Sequence, residues 1–242
     1  MANALVVIPT YNEIENIERL VRNIFALQRA FDILVVDDGS PDGTATLVKE
    51  LQIDYKDRLF IIEREKKLGL GTAYIAGFTW ALDKGYDYIF EMDADFSHNP
   101  NDLIRLYNAC AKDQADVAIG SRYVTGVNVV NWPMGRVLLS WGASKYVRLI
   151  TGMNIHDTTA GFICYKRKVL EAINLDKIRF VGYAFQIEMK YKAYIKKFAI
   201  VEIPVIFTDR TKGQSKMSKG IISEAVFGVI RLRLNHLFKG KN

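Results

Sequence analysis

Cysteine is scarce in this chain: Cys110 and Cys164 are the two among 242 residues. That excludes a disulfide-framed scaffold, and both lie in apolar-periodic stretches, where free buried thiols of a reducing compartment are expected. Histidine is nearly absent, with three residues in all. His98 follows an acidic pair and reads either as a ligand or as a helix-start residue, because a lone histidine does not define a metal site. His156 and His236 have no acidic or thiol neighbours at ligand spacing. No uncharged apolar run approaches the roughly 18–20 residues that span a bilayer. Met1-Ala2-Asn3 runs straight into a strand, so no signal peptide is expected. Two phosphate-binding fingerprints are also missing. The first strand is followed by Pro9-Thr10-Tyr11-Asn12-Glu13 and not by G-x-G-x-x-G, which removes the dehydrogenase type of nucleotide site. Gly69-Leu70-Gly71 opens a helix but lacks the Lys-Ser/Thr of a P-loop, and reads as a tight strand-to-helix turn.

What is present is half hydrophobic (50%) and 25% charged, a globular balance with enough apolar material for one large core. The net charge is +6 and the pI about 9.1, which points to an acidic partner: phosphates, an anionic membrane surface or nucleic acid. Apolar runs at 4–9, 31–36, 59–62 and 88–90 read as buried strands. Periodic stretches at 13–28, 44–51 and 71–84 read as the helices between them. That alternation predicts right-handed βαβ units on a parallel sheet, whose ligands bind beyond the carboxyl ends of the strands. The second half is less regular. Strands are expected at 116–120, 159–165 and 199–207, the last an edge strand because it carries Pro204. Helices are expected at 135–150, 183–194 and 221–238, and a loop over 124–134.

Three strand exits are expected to meet in one crevice: Pro9 to Glu13, Asp37-Asp38 and Asp93-Ala94-Asp95. Asp37-Asp38 reads equally as a turn or as a nucleotide contact. Asp93 and Asp95, spaced i and i+2 at a strand exit, are expected on one side of the chain. Two ionised carboxylates there call for a cation between them, and hard oxygen ligands suit Mg2+ or Mn2+ holding a diphosphate. The alternative is that both aspartates cap the helix after Asn99-Pro100. Arg122, Arg210 and Lys216 are loop cations, read either as solvated or as phosphate ligands.

Three segments, Val7 to Glu13, Val35 to Thr44 and Met92 to His98, resemble the signatures of the family 2 glycosyltransferases. Gly120-Ser121-Arg122-Tyr123, Gly182 to Met189 and Val205 to Lys216 narrow the resemblance to its polyprenyl-phosphate (dolichyl-phosphate) mannose synthases. The similarity covers roughly residues 4 to 220. It implies an α/β fold of the GT-A type, a mainly parallel sheet flanked by helices, over 1–218, with a C-terminal amphipathic helix over 219–242. It implies inverting transfer of mannose from GDP-mannose to polyprenyl or dolichyl phosphate. Pro9, Tyr11, Glu13, Val36 and Asp38 would hold the guanosine. Asp93, Ala94 and Asp95 would hold metal, ribose and diphosphate, with Asp93 and Asp95 as ligands to Mg2+ or Mn2+. Arg122, Arg210 and Lys216 would grip phosphates and mannose, and Asp95, Arg210 and Lys216 would carry the catalysis. Arg136 and Ser140, four residues apart on one helix face, would meet the acceptor phosphate. Some members have Gln where Ser97 stands; Ser97 is shorter, so water is expected in that ligand's place.

A phosphate acceptor needs no general base, because its second pKa of about 6 leaves it mostly dianionic at neutral pH. The resemblance assigns the basic balance to substrate and membrane, and no nucleic acid is expected. Ile222, Ala225, Val226, Val229 and Ile230 form one apolar face of the last helix. That face either lies in a membrane interface or packs against the catalytic domain. The expected location is cytoplasmic, peripheral to the cytoplasmic face of a membrane.

Overall fold

The computed structural model describes residues 3–182, 184–209 and 221–239. Strand β1 (Ala4–Thr10) leads through α1 (Ile17–Phe25) to β2 (Asp32–Asp37). Then α2 (Thr44–Asp54), β3 (Leu59–Glu63), α3 (Leu70–Asp83), β4 (Tyr88–Glu91), α4 (Asp102–Ala111) and β5 (Val117–Ser121) follow. The second half holds β6 (Val129–Val130), α5 (Met134–Thr151), β7 (Ile163–Lys166), α6 (Arg167–Ala172), α7 (Ala184–Ile195), β8 (Ile200–Pro204), β9 (Phe207–Thr208) and α8 (Ile221–Lys239).

The main sheet has the order β3-β2-β1-β4-β7-β5-β8, parallel except for β7, which runs antiparallel to both of its neighbours. This is the mainly parallel, helix-flanked arrangement expected. Both faces are covered, which is why the middle of β1 and of β2 is a continuous apolar run. Leu5, Val7, Leu34, Val36 and Ile89 pack on one side with Tyr74, Phe78, Val147, Phe185 and Val229 from α3, α5, α7 and α8. Ala4, Val6, Ile8, Ile33 and Phe90 pack on the other side with Ile17, Leu20, Val48 and Leu103 from α1, α2 and α4. Each such aliphatic side chain contributes about 1.5–3 kcal/mol on full burial. Helix α3 lies so close to β1 that a Cβ on Gly77 would stand 2.4 Å from a Val7 methyl, which only glycine avoids.

Pro204 closes β8, an edge strand paired only with β5, as its missing N–H requires. Cys110 and Cys164 are both free and buried.

Several boundaries differ from expectation, and the strand expected at 199–207 is two, β8 and β9. Helix α1 starts at Ile17, because Asn16 and Ile17 both donate to the Glu13 carbonyl and make a separate turn of 13–16. Strand β7 starts at Ile163 and not at Thr159; its reversed direction lets it fill the gap between β4 and β5. The expected loop 124–134 contains β6, which pairs with β9 in a two-stranded sheet of its own.

Candidate active site

Parallel pairing of β1 with β2 and β4 brings their carboxyl ends to one sheet edge, with Thr10 opposite Asp37. Asp37 is engaged within the protein. Its carboxylate accepts from Thr10 Oγ1 (2.8 Å), Ser40 N (2.9 Å) and Ser40 Oγ (2.6 Å), tying the two exits together. Asp38 is also buried, but it faces a cation: Arg64 Nε donates to its Oδ1 at 2.6 Å, and Leu68 N to its Oδ2 at 3.2 Å. Arg64 also donates to Thr72 Oγ1 (2.8 Å), so it locks the start of α3 to this loop. Glu13 is buried, with its Oε2 accepting from Asn16 Nδ2 at 3.0 Å. Lys67 Nζ lies 4.7 Å from the centroid of the Tyr11 ring. Pro9 is half-buried opposite Val36, and the Val36 side chain lies entirely in the core. Arg64 and Lys67 were not singled out from sequence; their signal was three cations in the four residues Arg64-Glu65-Lys66-Lys67, directly after a strand.

Gly69-Leu70-Gly71 is the tight turn expected of it. Gly71 N donates to Val181 O (2.9 Å), and a Cβ on Gly71 would strike the Phe180 carbonyl and the Phe185 ring at 2.8 Å.

Strand β4 ends at Glu91, so strand alternation does not reach Asp93 and Asp95. They sit instead in a tight turn in which Phe96 takes a left-handed backbone conformation (φ +59°). Strain of this kind in a non-glycine residue clusters at functional sites. Ser97 N (3.0 Å) and Ser97 Oγ (2.5 Å) both donate to Asp95 Oδ1, fixing a carboxylate only 7% exposed. The Tyr74 hydroxyl donates to Asp93 Oδ1 at 3.3 Å. Ala94 between them is buried. Helix α4 begins at Asp102, so neither aspartate caps it, and that alternative falls.

Among the described residues no group of three or more His, Cys, Asp or Glu could hold a metal ion. Two carboxylates, one of them oriented from behind by Ser97, fit an ion such as Mg2+ or Mn2+ that fills its other positions with water and substrate oxygens. His98 contributes nothing visible to such an ion. It is buried, stacked on Phe162 (4.7 Å), and burial lowers its pKa to about 4, so the ring is neutral.

Behind the acidic turn runs a buried polar network that the sequence reading did not find. Glu91 accepts from Gln186 Nε2 (2.5 Å), and Lys190 Nζ donates to Ala160 O (2.5 Å) and Gln186 O (3.3 Å). Burial pushes Glu91 up to about 7 and Lys190 down to about 8, each opposed by the charge of the other. The signal was there in Gln186 and Lys190, i and i+4 on one face of α7. Arg122 is not a solvated loop cation. Its Nε and Nη2 donate to Asp157 at 2.6 Å each, its backbone N at 3.0 Å, and Nη2 reaches Thr159 Oγ1 at 2.8 Å.

Trp132 brings two guanidinium groups together, Arg136 at 4.0 Å from a ring centroid and Arg122 at 5.5 Å. Arg136 Nη1 is 2.8 Å from Asp209 Oδ1. Ser140 lies beside the Tyr123 hydroxyl. Thr208 N donates to Ser97 O (3.1 Å), so β9 is fastened to the acidic turn. Arg210 and Lys216 lie outside the described residues.

The family described as glycosyl transferase family 2 matches residues 5–173. The polyprenol monophosphomannose synthase of Mycolicibacterium smegmatis is 49% identical over 225 residues, covering 93% of this chain and 84% of that one. The undecaprenyl-phosphate mannosyltransferase of Micrococcus luteus is 44% identical over 236 residues, covering 98% and 96%. Among solved structures, a mannosyltransferase from Pyrobaculum calidifontis in complex with GDP-Man and Mn2+ superposes with a TM-score of 0.59 at 17% identity, covering 99% of this chain and 75% of that one. At that identity the likeness is one of fold.

Proposed function

The chain belongs to glycosyl transferase family 2, and from that premise we propose that it transfers mannose from GDP-mannose to the phosphate of a membrane-borne polyprenyl phosphate, with inversion. The observation that carries the reading is Asp93-Ala94-Asp95 held at the same sheet edge as Pro9 to Glu13 and Asp38, in a chain 49% identical over 225 residues to a synthase named for that acceptor.

The loops after β1 and β2 form the nucleoside wall, with Tyr11, Glu13 and Asp38 presented there and Pro9 and Val36 behind them. Asp93 and Asp95 would hold Mg2+ or Mn2+, which would supply Lewis-acid charge for the diphosphate leaving group. Ser97 keeps Asp95 turned to that task; its hydroxyl is engaged with Asp95. Arg122, Arg210 and Lys216 supply positive charge around the phosphates. Arg136 and Ser140 receive the acceptor phosphate, which attacks the sugar without a protein base because it is already deprotonated.

Incubation with GDP-[14C]mannose and polyprenyl phosphate tests the reading. Label should enter the lipid phase only with a divalent ion present. Label in a water-soluble glycan would reassign the acceptor, and no transfer from GDP-mannose would reassign the donor.

The Arg136–Asp209 ion pair makes a sharper prediction. Arriving phosphate must displace the Asp209 carboxylate. Arg136→Ala should raise the apparent KM for polyprenyl phosphate roughly 10- to 100-fold, the range for a lost charged hydrogen bond. Calorimetric affinity for GDP-mannose with Mn2+ should stay near wild type. Asp209→Asn should shift the acceptor KM the other way. An equal loss of donor affinity in Arg136→Ala would move that residue to the diphosphate site.

The acceptor's chain lies in a bilayer, and the exposed surface suits one. No described helix is long and apolar enough to cross a membrane. Helix α8 packs on α5 and α7 through Val229, 1% exposed, and the Tyr146 hydroxyl donates to Val226 O at 2.8 Å. The side chains of Ile222 and Ala225 lie outside the described residues. A stripe of α8 that shares only Ile230 with the expected face, Phe227, Ile230, Leu234 and Phe238, faces outward, as do Met134, Leu138, Trp141 and Leu149 of α5. Both stripes follow the i, i+3/i+4 spacing of one helix face. Phe227 and Leu149 are 73% and 83% exposed, far beyond what packing explains. Deleting α8 would strip the core, so the test is the double substitution Phe227→Ser with Leu234→Ser. It should abolish co-sedimentation with liposomes while leaving the melting temperature unchanged. Undiminished co-sedimentation would acquit this stripe.

A further inference from the structure

The strand-exit loops occupy the carboxyl edge of the sheet. At the opposite edge, where α7 turns into β8, lies a cavity of about 360 Å3 lined by Tyr194, Ile195, Lys197 and Phe198, and by Arg233 from α8. Its walls are aromatic and aliphatic, and its two charges are both positive. Neither Lys197 nor Arg233 forms an ion pair among the described residues, although Lys192, one turn earlier on α7, is paired with Glu188. The two cations come from separate elements and both line this pocket.

Lys197 closes α7 in a left-handed conformation (φ +63°), with its N–H on Tyr194 O (2.9 Å) and Phe198 N on Ala193 O (3.2 Å). Glycine is the residue that takes this position without steric cost. A cation at a helix C-terminus is favoured by the helix dipole. That accounts for a lysine at this end of α7. It does not account for Arg233, from α8, lining the same pocket.

We propose that this cavity is a second anion site, remote from the acidic turn, that takes the phosphate of an anionic phospholipid. Arg233 offers planar, bidentate donors and Lys197 a point charge, the pair of chemistries that phosphate oxygens recruit. Arg233 neighbours Ile230 and Leu234 on α8, so a headgroup seated here leaves its acyl chains beside the outward apolar stripe. The choice of a lipid as the source of the phosphate rests on the membrane reading above. The site then sets the orientation of the enzyme on the bilayer, by one specific contact at the end of α8.

Lys197→Gly with Arg233→Gln removes both charges and keeps the left-handed turn. Lys196→Gln with Arg231→Gln removes the same charge from exposed positions outside the cavity. Partitioning is measured on phosphatidylcholine vesicles with and without 30% phosphatidylglycerol (roughly the anionic content at which one cation contributes about fivefold). The cavity pair should weaken binding to anionic vesicles more than about 25-fold, and the outside pair by clearly less. Turnover with a detergent-solubilised acceptor should be unchanged in both, which shows that they fold. Equal losses in the two pairs would overturn the site in favour of diffuse surface charge. If the wild type binds no vesicle, the membrane reading fails. In that case, NMR shifts at Lys197 and Arg233 on adding inorganic phosphate would retain the anion site and overturn the lipid source. Silence to phosphate as well would overturn the site itself.

Discussion

Asp95→Asn is expected to reduce turnover by at least about a thousandfold, the scale of losing a main electrostatic stabiliser of the leaving group, and to leave the fold intact. The second half follows from where the carboxylate sits. Asp95 is 7% exposed, and its Oδ1 accepts from Ser97 N and Oγ. Asparagine keeps an oxygen for those bonds and removes only the charge. The melting temperature should therefore move by no more than about 4 °C, equivalent to about 1 kcal/mol in a chain of this size. Asp93 is half-buried, and the Tyr74 hydroxyl donates to it at 3.3 Å. Asp93→Asn should be severe but leakier. Single-turnover transfer at saturating Mn2+ checks both, and an Asp95→Asn enzyme as active as wild type would end the assignment of this residue to metal.

The half of the fold built from local signals was legible. Buried strands of a doubly covered sheet are continuous apolar runs, and 4–9, 31–36 and 59–62 each announced themselves that way. Pro204 predicted its edge strand because a missing N–H is tolerated where no neighbouring strand needs it. What escaped was non-local. Nothing in Ile163-Cys164-Tyr165-Lys166 says that it runs antiparallel between β4 and β5; that is set by the gap left there. The aspartate pair was found by its spacing, but the argument from strand alternation fails, since the strand stops at Glu91 and a left-handed Phe96 sets the turn.

Ion pairs were the least visible. Arg64 and Asp38 are partners across two loops, and so are Arg122 and Asp157. A sequence shows charges in loops as solvated by default, and only the fold decides which of them are buried together. Glu188 of α7 illustrates the same point: it accepts from Arg179 N (2.8 Å) and Phe180 N (3.2 Å), ordering the chain before the helix.

Arg122→Met should lower stability by about 3–5 kcal/mol, the cost of leaving a buried charge without its partner, and the melting temperature by about 10 °C. Asp157 has no exposed side-chain surface, and three donors of Arg122 converge on it. Burial alone would raise its pKa, but the charge and hydrogen bonds of Arg122 outweigh that and hold it below the usual carboxylate value of 3.8. A folded pKa below the unfolded one gives a stabilisation that is complete above the unfolded value and disappears as pH falls through the folded one. The stability gap between wild type and Arg122→Met should therefore be widest above pH 4 and close in stronger acid. Arg122→Met combined with Asp157→Leu should recover much of the loss, since an apolar replacement of both partners removes the orphaned charge. These measurements also decide how to read an inactive Arg122 variant. A variant that melts with wild type but loses GDP-mannose affinity makes Arg122 a phosphate ligand first. A loss of stability that the double substitution restores, with donor affinity still absent, gives it both roles, the Asp157 carboxylate holding the guanidinium where the diphosphate needs it.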